Sequence, residues 1–158
     1  MLVFRLICAV LLAWAVNWTL SRVEAEVLLQ VLPEMATLAP VAAAIVGYFN
    51  LAVRQGWGFI VAFANGIWAG VLAIVASGAL YMCMRIINGI REQEIREFDH
   101  FLSVFGSTFE PMADQLTNLP LIITSLGATA VVGVVSEVIH WLLVRVRQGK
   151  GSQSRSST

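Results

Sequence analysis

Glu137 and His140 stand three residues apart in an apolar stretch, and they are the pair in this chain whose types and spacing could do chemistry. A Glu-x-x-His on a helix can ligate metal inside a bundle, but that chemistry takes the motif from two helices together with further carboxylates. No second copy lies within an apolar stretch of this sequence. The sequence favours a plainer role, a structural ion pair in which Glu137 meets Arg5 or Arg54 across a bundle. Asn17, Asn50 and Asn65 read as interhelical hydrogen-bond formers rather than ligands. The two cysteines, Cys8 and Cys83, form no Cys-x-x-Cys and no Cys/His cluster, so each reads as a packed thiol. No Ser is matched to a His and an Asp as a triad, and there is no HExxH, Walker loop or dinucleotide fingerprint. These residues predict a protein that is not an enzyme, with no cofactor and no metal.

The elements that must position Glu137 and His140 are visible as gaps in the charge pattern. No Asp, Glu, Lys or Arg occurs in residues 6–21, 35–53, 55–84 or 115–136, and Leu, Val, Ile, Ala, Phe and Trp fill the space. About 20 apolar residues of helix cross a hydrocarbon core, where backbone polar groups must be paired within the protein. The expected fold is all-α: a four-transmembrane-helix bundle with spans at about 4–21, 35–53, 58–84 and 119–144. Hydrophobic residues make up 58% of the 158 positions and charged ones 13%, against roughly a quarter charged in soluble domains. One helical membrane domain, residues 1–147, accounts for nearly the whole length. The formal net charge of zero leaves no electrostatic footprint for nucleic acid, so the partner to expect is the lipid bilayer.

Arg5, the apolar run Leu6–Val16 and Val23-Glu24-Ala25 sketch a cleavable secretory signal. The would-be cleavage site lies well beyond the run, however, and Trp14, Asn17 and Trp18 suit an interfacial helix end. The first helix is expected to be retained. Orientation follows Lys and Arg. Four spans place Arg5, Arg54, Arg145, Arg147, Lys150 and Arg155 on one side, and Arg22, Arg85, Arg91 and Arg96 on the other. The first set sits on far fewer residues, which predicts that both termini are cytoplasmic. Nine of the ten acids fall on the outer side.

The cytoplasmic turn Arg54-Gln55-Gly56-Trp57-Gly58 is tight and predicts an antiparallel hairpin of the second and third spans. The outer connection, residues 85–118, is long enough to hold structure of its own. Arg91 with Glu94 and Glu92 with Arg96 carry the third helix on to about Glu97. Phe98, Phe101, Leu102, Phe105, Phe109 and Met112 then recur at offsets of 0, 3, 4, 7, 11 and 14, one face of a helix. That face fits an amphipathic helix in the outer interface, or a docking face for a membrane-protein partner. Residues 148–158 contain Gly, Ser and Gln with two positive charges and no apolar residue, and are expected to be disordered.

Helices in lipid associate by close packing of small residues. Ala39, Ala43 and Gly47 line the second span at spacing four, Gly66 and Gly70 form a GxxxG in the third, and Ser125, Thr129 and Gly133 line the fourth. Glu137 continues that last stripe, so it is expected to face protein. Cys8 and Cys83 fall at opposite membrane faces in this arrangement, too far apart for a disulfide.

The acidic first loop, Pro40-Val41, Gly56-Trp57-Gly58, Asn65-Gly66 with Gly70, Phe98-Asp99, the Phe101–Phe109 stretch, and Gly133, Glu137 and Arg145-Val146-Arg147 together resemble the TrgA family. Its members are small bacterial inner-membrane proteins associated with tellurium resistance, and the resemblance runs from the first helix to Arg147. This chain departs from the family in having a single Arg in the hairpin turn, and His100-Phe101 where a Gly-Pro turn is usual. The resemblance implies support of tellurite or redox stress tolerance without catalysis, and supplies no site residues. An accessory or assembly subunit docking through the 98–112 face is the alternative. A small transporter is disfavoured, because no span interior carries a cation and no broken-helix pair is evident.

Overall fold

The computed structural model describes residues 2–22, 34–91, 98–116 and 119–153. The elements in chain order are α1 (Leu2–Arg22), α2 (Met35–Phe49), a 3-10 turn (Leu51–Val53), α3 (Phe59–Arg91), α4 (Phe98–Leu116) and α5 (Leu119–Gln153). The described residues contain no strand. Four helical stretches, Leu2–Ser21, Met35–Val53, Phe59–Arg91 and Leu119–Val146, are long and apolar enough to cross a membrane. This is a multi-pass architecture, and its outer surface is made for contact with lipid.

Helix boundaries follow local chemistry. α2 begins where the Glu34 carbonyl accepts from the backbone amides of Thr37 and Leu38, and the Thr37 hydroxyl adds a 2.9 Å bond to the same oxygen. Pro40 lies inside α2; its ring removes one backbone donor and leaves the Ala36 carbonyl without its usual partner. α3 has 33 residues. At 1.5 Å per residue that is about 50 Å, well beyond a hydrocarbon core of about 30 Å. Its charged residues, Arg85 and Arg91, sit in the excess length. The sequence carries this helix to Glu97; residues 92–97, with the pairs expected there, lie outside the described residues.

α5 runs on past Arg147 to Gln153, into the polar segment that begins at residue 148. Each added residue of an existing helix gains a backbone bond without a new nucleation cost, so polar composition alone does not stop it. Residues 154–158 lie outside the description.

α1, α2, α3 and α5 close a ring in which α1 packs on α2 and α5, and α3 packs on α2 and α5. α4 rests mainly on α3. Most of the buried core is small or slender: Cys8, Ala15, Ala43, Ala69, Ala73 and Val132, with Phe4, Leu12 and Leu51 as the larger members. Many of the bulky residues are outside. Val10, Trp14, Ile45, Phe49, Ile60, Val75, Ile123 and Val131 are all exposed. That arrangement inverts a water-soluble protein, as expected where lipid solvates large side chains and backbone approach supplies the packing.

The glycines mark the closest approaches. A Cβ at Gly47 would lie 2.7 Å from the Cys8 carbonyl oxygen and 2.9 Å from the Ala9 Cα, so α2 meets α1 backbone to backbone. On the opposite side of the ring, a Cβ at Gly133 would lie 2.8 Å from the Gly66 Cα, and one at Gly66 would lie 2.9 Å from the Ala130 Cα. Gly70 faces the Thr129 side chain. Ala39, Ala43, Thr129 and Ser125 are buried. Hydroxyls within the helices bond to their own preceding turn: Thr19 to the Ala15 carbonyl, Ser77 to that of Ala73 and Thr129 to that of Leu126. This satisfies them without a partner helix.

Candidate functional site

Glu137, His140 and Asn65 meet at the turn that joins α2 to α3. Gly56 and Gly58 both adopt left-handed backbone, at φ 97° and 98°. An L side chain rarely takes this conformation, so glycine at these two positions is what permits the turn. The turn presents two backbone amides toward α5. Gly56 N donates to Glu137 Oε2 at 2.7 Å, and Gly58 N donates to Glu137 Oε1 at 3.1 Å. One carboxylate spans the turn.

Glu137 is only 7% exposed. Burial of an ionised carboxylate is costly unless it is hydrogen-bonded, and bonds from an amide to a charged oxygen are stronger than neutral ones. The sequence expected an arginine, Arg5 or Arg54, to compensate this charge. The partners found are backbone amides, one on each oxygen, and the two guanidiniums are directed elsewhere. Arg5 lies 5.7 Å from the centroid of the Tyr48 ring, a cation–π contact. A sequence shows side-chain charges plainly and backbone donors hardly at all. The signal available was the pair of glycines flanking Trp57, which implies a turn with amides free to donate.

His140 lies beside the same turn. A Cβ added to Gly56 would sit 3.3 Å from His140 Nε2. The His140 ring meets Phe4 edge-on, with centroids 5.4 Å apart and an interplanar angle of 64°. His140 thus joins the start of α1 to the hairpin turn. Among the described residues, no group of three or more His, Cys, Asp and Glu is arranged to hold a metal. The Glu-x-x-His spacing does recur at Glu97 and His100, in the connection beyond the far end of α3, where Glu97 lies outside the described residues.

Asn65 completes the turn from its other side, its side-chain Nδ2 donating to the Arg54 carbonyl at 3.0 Å. This bond lies within the hairpin. Asn50 works through its backbone: its amide donates to the Val46 carbonyl, and its own carbonyl accepts from Val53. Asn17 is exposed on α1, away from the interhelical role expected of it. Gln55 and Ser136 are buried beside these residues in the chain. Among the described residues, neither side-chain amide atom of Gln55 has a hydrogen-bond partner.

The aromatic helix is a second candidate. Within α4, the Phe101 and Phe105 rings are 6.2 Å apart, and the Phe105 and Phe109 rings stack at 5.9 Å with 6° between their planes. Thr108 is buried, with its hydroxyl bonded to the Val104 carbonyl. Leu102, Phe105 and Phe109 remain exposed. The expected apolar face is therefore divided: Phe101, half-buried, lies toward the bundle side with Val104 and Thr108, and the other three turn outward. The side chains of Phe98 and Met112 lie outside the described residues. Neither cysteine has a disulfide partner; Cys8 is buried and Cys83 exposed.

Comparison of the chain with protein-family models, with curated proteins and with solved structures finds no match.

Proposed function

We propose that this chain is a non-catalytic multi-pass protein of a bacterial inner membrane that supports tellurite or redox stress tolerance, as its resemblance to the TrgA family implies. The observation that carries the non-catalytic part is the Glu137 carboxylate. Glu137, the one acid in the spans among the described residues, has both oxygens engaged by the Gly56 and Gly58 amides, and so acts as a structural latch. Both termini face the cytoplasm. Support for this comes from the Phe4–His140 and Gly56–Glu137 contacts, which gather the start of α1, the hairpin turn and the late part of α5 at one end. That end bears Arg5, Arg54 and Arg145. The test is deletion of the gene in its native host, with complementation by the full chain. Tellurite tolerance should fall on deletion and return on complementation; an unchanged tolerance rejects the reading.

A second reading has its own observation. The outward row Leu102, Phe105 and Phe109 suits an accessory subunit that docks α4, an amphipathic helix of the outer connection, on a larger membrane complex. The two readings are compatible, because loss of an accessory subunit can produce a stress phenotype. Affinity purification from mild-detergent membranes separates a stoichiometric complex from a lone bundle.

A further inference from the structure

Three arginines cluster at the end of the bundle that holds the hairpin turn, and they are not equivalent. Arg5 lies over Tyr48, and the Arg145 guanidinium carbon lies 4.9 Å from the centroid of the Trp141 ring. Arg54 is exposed and, among the described residues, its guanidinium has neither an aromatic nor a carboxylate partner. Glu137, the acid of this end, has both oxygens bonded to the turn. Arg54 opens instead onto a groove of about 300 Å³ lined by Val53, Arg54, Trp57, Val61 and Asn65.

The lining has two chemistries in a fixed order. Val53 and Val61 are exposed apolar residues on the ends of two candidate spans, so their surface belongs against acyl chains. Trp57, 79% exposed, sits at the turn itself, the level at which Trp is enriched in membrane proteins. Arg54 supplies a planar donor fork suited to phosphate oxygens. Asn65 holds the Arg54 backbone by its carbonyl, which fixes the base from which the guanidinium reaches. From this geometry we infer that the groove is a binding site for an anionic phospholipid, with the phosphate on Arg54, the interface marked by Trp57 and an acyl chain along Val53 and Val61. The inference needs only that the helices sit in a bilayer, and stands apart from the stress-tolerance reading.

Native mass spectrometry of the full detergent-purified chain tests it, using phosphatidylglycerol and phosphatidylcholine with the same acyl chains. The wild type should retain phosphatidylglycerol over phosphatidylcholine. Arg54→Gln should lower phosphatidylglycerol retention about fivefold, the scale of one basic residue near a membrane surface. Val61→Trp, which fills the groove without altering charge, should lower it too and decides the matter if Arg54→Gln does not fold. Arg145→Gln, at a cation already over an aromatic ring, should leave retention unchanged. Equal retention of both lipids by the wild type, or undiminished phosphatidylglycerol on folded Arg54→Gln, overturns the site. Complete displacement of the lipid by excess inorganic phosphate also overturns it, because the groove would then be a soluble-anion site.

Discussion

The Glu137 carboxylate and the Gly56 backbone amide meet at 2.7 Å across 81 positions of sequence. With the second bond at Gly58, this contact fastens the α2–α3 hairpin to α5. Much of the rest of the ring is joined by close approach of small residues, which has little direction of its own. A two-point polar contact fixes the rotation of α5 relative to the turn, and with it the placement of His140 against Phe4.

Glu137→Gln should therefore destabilise the bundle. A glutamine offers one acceptor oxygen and turns its NH2 toward the other backbone donor, leaving one amide unpaired. The expected loss is about 1–3 kcal/mol, the cost of an unsatisfied buried donor. Glu137→Ala should cost more, since it strands both amides. Unfolding in mixed micelles, followed by circular dichroism, measures the series. A Gln variant as stable as wild type would mean the latch holds nothing.

Gly56→Ala probes the same contact from the backbone side. A left-handed φ costs an L residue roughly 1–2 kcal/mol, and the new methyl would press on His140 Nε2, 3.3 Å away. Gly58→Ala carries the same backbone penalty with nothing within 4 Å of the added Cβ. Gly56→Ala should be the less stable of the two, and the difference isolates the His140 contact. Equal melting temperatures would show that His140 gives way freely.

The four spans were legible in the sequence because lipid imposes a coarse requirement, length without charge, that gaps such as 55–84 display directly. The small residues at Gly66 and Gly133 were legible for a related reason: spacing four keeps them on one face, where backbone approach needs them. The partner of Glu137 was not. Choosing Arg5 or Arg54 weighed charged side chains only, whereas the donors that meet the carboxylate belong to the backbone of a turn whose handedness depends on tertiary placement. Nor did periodicity show how the face of α4 would divide. An apolar stripe gives a direction on the helix, and the rotation that buries Thr108 while exposing Phe109 is set by where α4 meets α3.

The outward row of α4 should be dispensable for folding. Phe105→Ser with Phe109→Ser removes two exposed, mutually stacked rings, so folded yield should stay close to wild type. If α4 docks a partner, the partner should be lost from the purified complex at normal abundance of this chain. A partner retained at wild-type stoichiometry rejects that face as the contact.

Gly66→Leu and Gly133→Leu should both collapse the α3–α5 contact, because each position faces the backbone of the other helix with no room for a Cβ. Overpacking a close contact costs typically 1–3 kcal/mol and more where backbone must move. Folded yield from membranes should drop sharply for either. Gly106→Leu is the control, since its Cβ would meet nothing within 4 Å. If the Gly66 variant folded as well as the Gly106 variant, the helices would not be packed as described.

The two thiols report the fold without any substitution. Cys8 is fully buried where Gly47 brings α2 onto α1, and Cys83 is exposed near the far end of α3. A thiol must reach the reagent as thiolate and with room for attack, so burial protects it. Maleimide added to the native chain in detergent should modify Cys83 quickly and leave Cys8 intact. Cys8 should react only after denaturation, and Gly47→Leu, which forces α2 away from the Cys8 carbonyl, should make it react in the native detergent. The readout is the mass of the labelled chain, one adduct for wild type and two for the variant. Rapid double labelling of the wild type would place α1 outside the ring, and with it Phe4 away from His140.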